Sequence, residues 1–107
     1  MPIDRGVQAA LERKYMAVVH LEVVLRAQLT GTSADDQISA MLNMLHNEAD
    51  ALDAVIEGQQ DPTIQTLGPA DATALQNAVQ TAENITQGDV QPALNAAAVL
   101  IGTLKQS

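Results

Sequence analysis

The chain has 107 residues, with 5 basic side chains against 13 acidic ones and a formal net charge of −8. That length predicts one domain over residues 1–107, and the charge argues against binding nucleic acid or anionic membranes, whose phosphates require clustered Lys and Arg. Tyr15 is the one aromatic residue and cysteine is absent, so disulfides, thiolate metal sites and cysteine nucleophiles are excluded and the core must come from aliphatic side chains and Ala, the strongest helix former.

The first helix is predicted from about Asp4 to Leu29. Pro2 stands just ahead of it, and Thr30-Gly31 offers a stop with glycine at the left-handed cap position. Val7, Leu11, Val18, Leu21, Leu25 and Leu29 recur at helical spacing. By the 100° turn per residue, Lys14 falls on this same apolar face, while Met16, Val19 and Val23 fall on the opposite side. A helix that is apolar on two sides must be covered on two sides. Either it is a central helix, packed by the second helix on one side and the later helices on the other, or its second side is a self-association surface.

The second helix is predicted from Ala34 to Glu57, with Ser33 as N-cap and Asp35 and Asp36 at the positive end of the helix dipole. Ile38, Leu42, Leu45, Ala49, Leu52 and Ile56 form its apolar stripe; Ser39, Asn43, His46, Asp50, Asp53 and Glu57 form the polar one. Gly58 ends it. If the first two helices make an antiparallel hairpin turning near Gly31, facing residue numbers sum to roughly 62. Glu48 is then level with Lys14, and it is the acidic residue of this helix nearest the apolar stripe. A partly buried Lys14–Glu48 ion pair that fixes the hairpin register is the expectation.

Gln59 to Gly68, with Pro62, reads as the crossover connection. The third helix is predicted from Pro69 or Asp71 to Gln87, with Leu75, Ala78, Val79, Ala82 and Ile85 inward and Gly88 as its stop. Asp89 would cap the fourth helix, and Pro92 falls in its first turn, where a missing N–H is tolerated. Val90, Ala93, Leu94, Ala97, Leu100, Ile101 and Leu104 form its apolar face; Asn95, Ala98, Val99 and Gly102 form its back. No charge occurs between Asp89 and Lys105.

The predicted fold is all-α: a four-helix bundle of two antiparallel helical hairpins, the first two helices long and the last two shorter. Two tandem helical-repeat units are the alternative architecture. About 25 residues in each long helix span roughly 37 Å, against about 25 Å for the short ones, so roughly 12 Å of the long hairpin is left uncovered. That surplus, the second apolar side of the first helix and the uncharged fourth helix together predict a homodimer with Met16, Val19, Val23 and Val99 in its interface.

Chemistry finds little footing. His46, Asp50, Asp53 and Glu57 line one helix face, as metal ligands or a general-base cluster could, but a single His among carboxylates on one exposed face reads as a solvated acidic stripe. His20 lacks the Lys and Gly that follow the phosphorylated His of histidine-phosphotransfer domains. Met16, Met41 and Met44 lack a haem-attachment motif and read as core fillers. No phosphate-binding loop or Gly-x-Ser-x-Gly elbow is present. The expected function is therefore non-enzymatic and cofactor-free: a small acidic, self-associating interaction or assembly module, cytoplasmic by default because no leader or membrane span is read from the sequence. Two alternatives stay open. One is a regulatory inhibitor, of the immunity-protein or antitoxin kind, covering a basic protein partner. The other is a weak metal- or cofactor-binding bundle.

Overall fold

The computed structural model describes residues 4–29, 31, 35–63, 66–86 and 90–105. The cap and stop assignments at Pro2, Thr30, Ser33, Ala34, Gln87, Gly88 and Asp89 lie outside the described residues. The elements are α1 Arg5–Arg26, α2 Asp35–Ile56, α3 Pro69–Glu83 and α4 Val90–Gly102.

Three of the described termini have a clear local cause. Asp4 caps α1, its carboxylate accepting from the Gly6 and Val7 amides at 2.8 and 3.2 Å. Gly6 permits that approach, because a β-carbon there would sit 3.0 Å from the Asp4 Oδ1. Helix α2 ends in a Schellman motif. Gly58 takes a positive φ of 80°, its amide donates to the Val55 carbonyl, and the Gln59 amide donates to that of Ala54. Pro69 opens α3 behind Gly68. Two helices stop short of expectation: α1 at Arg26 rather than Leu29, and α3 at Glu83 rather than Gln87. Ile85 lies beyond the end of α3 yet stays buried, so apolar periodicity outlasts the helix wherever a loop residue also serves the core.

Helix α1 packs against α2, α3 and α4, and α4 packs against α2 and α3, whereas α2 and α3 do not meet. The cross-section is therefore a rhombus. Helices α1 and α4 sit on its short diagonal and α2 and α3 at the ends of its long one. The principal extents, 47 × 26 × 15 Å, describe a slab to match. A surface cleft joins Ala9 and Arg13 of α1 to Ala72 and Gln76 near the start of α3, and His20 further along α1 meets Ile85 just past the end of α3. These two helices run the same way. Apart from two charged side chains the core is aliphatic, with Leu11, Leu21, Leu25, Ile38, Leu45, Leu52, Val79 and Leu100 essentially inaccessible. Among the described residues no helix is long and apolar enough to cross a membrane.

Candidate functional site

Two features of α1 depart from a plain aliphatic bundle, one inside and one outside. Inside, the Lys14 and Glu48 side chains are fully buried, and the ammonium lies 2.5 Å from the carboxylate Oε2. Lys14 Nζ also donates to the carbonyl oxygens of Leu104 at 3.1 Å and Ile101 at 3.4 Å. An ammonium has three protons, and each has an acceptor here. Two of the acceptors come from the end of α4, where a helix's last carbonyls lack intrahelical donors and carry partial negative charge. Leu104 adopts a left-handed backbone, φ 54°, at the turn that presents its carbonyl to Lys14. Burial pushes the lysine below its usual range. The hydrogen bond and charge of Glu48 oppose that shift, and the charge of Lys105 adds to it.

The role of the two carbonyls is absent from the sequence reading, because periodicity registers side chains and a backbone acceptor at a helix end leaves no mark in residue type. The two long helices position the pair. Lys14 and Glu48 each stand near the middle of their helix, so the contact is insulated from fraying ends.

Outside, Met16, Val19 and Val23 are 71, 39 and 57 % exposed. The later helices do not cover them: α3 and α4 pack elsewhere on α1. Because α4 lies across the short diagonal, the exposed stripe of α1 occupies the middle of one broad face of the slab. Val99, 58 % exposed, lies apart from this stripe. It lines an open groove of about 520 Å³ between α3 and α4, together with Ala74, Thr81, Asn95 and Thr103 and with no residue of α1.

The polar stripe of α2 faces solvent along its length, Ser39, Asn43, His46, Asp50, Asp53 and Glu57 all being exposed. His46 and Asp50 are 3.4 Å apart. Among the described residues no three His, Cys, Asp or Glu side chains converge on a point where a metal ion could be held. His20 Nε2 donates to the Ile85 carbonyl at 3.0 Å, which ties α1 to the end of α3 and occupies the nitrogen a phosphoacceptor would present. Of the three methionines expected to fill the core, Met41 packs against it from its edge, whereas Met16 and Met44 are exposed because their positions face away from the neighbouring helices.

No family model, curated protein or solved structure matches the chain.

Proposed function

We propose that this protein is a non-enzymatic assembly module that works by presenting the outer face of α1 to another protein, in the first instance a second copy of itself. The observation that carries the reading is the row of Met16, Val19 and Val23 exposed on a broad face of the bundle. Scattered surface apolar residues are ordinary, whereas neighbours on one helix face form a patch that water solvates poorly. The surrounding charge supports the choice of face. Arg5, Arg13 and Arg26, all exposed, lie on α1, whereas Asp36, Asp50, Asp53 and Glu57 lie on or beside α2. Two molecules of net charge −8 repel least where their own cations are gathered. Val99 and its groove form a separate surface, suited to a different partner.

Multi-angle light scattering across a wide concentration range tests the reading. A dimer that Met16→Ser or Val23→Ser turns into a folded monomer is the expected result. A wild-type chain that stays monomeric at millimolar concentration overturns it.

The acidic face of α2 supports a second reading, a regulatory inhibitor that covers a basic protein surface. Such a contact would be steered by charge and weakened by salt. Capture of basic proteins that survives half-molar salt, or no capture at low salt, would count against it.

A further inference from the structure

The exposed positions of α1 carry an order that the apolar patch alone does not express. Arg5, Ala9, Glu12, Met16, Val19, Val23 and Arg26 are all exposed, and they follow one another in alternating steps of four and three. That is the spacing of a heptad seam, the stripe along which one helix receives another. The centre of the stripe is apolar and its flanks are charged with opposite sign. Glu12 and Arg26 each stand seven positions from Val19, one before it and one after.

This symmetry selects a geometry. In a parallel pair, each Glu12 would face a second Glu12 and each Arg26 a second Arg26. In an antiparallel pair centred on Val19, facing residue numbers sum to about 38 by helix geometry. Val19 then meets its own symmetry mate, Met16 comes beside the partner's Val23, and Glu12 lies opposite the partner's Arg26 at both ends. We propose that two copies of this chain dock antiparallel through α1, with the twofold axis at Val19 and reciprocal Glu12–Arg26 ion pairs closing the apolar seam. The pairing rests on the self-association reading above and adds its orientation and register.

The local contacts of these charges leave them free to serve such a seam. Glu12 accepts from Gln8 at 3.0 Å on the surface, and Arg26 lies 3.9 Å from Glu22, with its own side chain 68 % exposed. From Glu12 to Arg26 the seam runs about 21 Å at 1.5 Å per residue. It lies at the middle of a broad face, so α2 and α3 recede on either side and do not obstruct a second α1. An isologous contact of this kind closes on itself and limits assembly to two.

The test uses the full chain. Glu12→Arg and Arg26→Glu are made singly and combined, and dimerisation is measured by analytical ultracentrifugation, with circular dichroism to verify helicity. Each single variant places two like-charge contacts in the homodimer and is expected to weaken it about tenfold. The double variant should regain wild-type affinity. An equimolar mixture of the two single variants should also dimerise, because in the heterodimer every facing pair is again of opposite sign. As the chain has no cysteine, Val19→Cys provides an independent readout: mild oxidation should give a disulfide-linked dimer. A wild-type dimer indifferent to both charge reversals, or one that the mixture does not restore, overturns the antiparallel register and leaves self-association standing. A wild-type monomer at every concentration overturns both.

Discussion

Lys14 and Met16 are two residues apart on α1, and their surroundings are inverted. The lysine is fully buried and the methionine is 71 % exposed. Polarity did not decide where either went; the direction each position faces did. The inward face of α1 is fixed by the packing of α2, α3 and α4, and a charge placed there survives because every proton of its ammonium finds an acceptor. The outward face belongs to none of those helices. An apolar side chain there adds little to the folded monomer, and it remains in contact with solvent. The comparison separates residues that hold the bundle together from residues that the packing of the four helices leaves uncovered.

The largest expected effects come from dividing the buried pair. Lys14→Met alone strands the Glu48 carboxylate in the core, and Glu48→Gln alone strands the ammonium, so each should cost about 3–5 kcal/mol in urea unfolding. The double variant should cost less than the sum, because a neutral pair of similar volume replaces the buried ion pair and neither charge is left uncompensated. Additive costs would mean that the two side chains do not interact, and the inner half of the comparison would fail.

Next in size is the contrast between apolar residues on opposite sides of α1. Leu21→Ala should cost about 2–5 kcal/mol through the lost transfer energy and the cavity it leaves. Met16→Ala, measured at a dilution where monomer prevails, should change stability by less than about 0.5 kcal/mol. Similar losses at both positions would show that the outer face is covered within the monomer.

A smaller effect is expected at the helix end, which belongs to neither face. Asp4→Ala removes the acceptor for two amides of the first turn and should cost about 1 kcal/mol. Asp4→Asn, which keeps an acceptor oxygen, should restore most of it.

The smallest is a dependence on pH. Lys14 binds its proton less tightly in the folded chain than in the unfolded one, where the ordinary lysine value of 10.5 applies. Between the lowered folded value and 10.5 the unfolded chain holds more protons, so raising the pH favours folding. Below that window both states are protonated and the penalty is fully present. Wild type should therefore gain stability relative to the Lys14→Met/Glu48→Gln variant as pH rises through the window. A relative loss would reverse the assigned direction.

How far these features could be read from sequence depends on what each one is made of. The four helices were legible because aliphatic residues recur at helical spacing and because Gly58 and Pro69 mark ends in the way their backbones require. The level placement of Lys14 and Glu48 needed one more ingredient, a turn near Gly31, since in a short hairpin the turn sets which residues face each other. The coverage of Met16, Val19 and Val23 was not legible. Both a central helix and a self-association surface satisfy the same pattern, and the choice depends on where α3 lands around α1, a matter of tertiary packing. The joining of Val99 to that stripe rested on side-chain character alone; its place in a groove with α3 follows from how α3 and α4 pair. The carbonyls of Ile101 and Leu104 were invisible for a deeper reason: any residue type could have supplied them.

Those two carbonyls also bear on how the molecule is made. Lys14 leaves the ribosome 87 residues ahead of Ile101 and 90 ahead of Leu104. Until α4 has emerged the ammonium and its carboxylate can pair only in contact with water, since the segment that roofs them has not been translated. Sealing that roof requires a closure across most of the chain, late and slow compared with the hairpin beneath it. A nascent chain interrupted before α4 would hold a hydrated charge at the middle of the α1–α2 pair. The absence of α4 would thus be registered at the centre of the bundle.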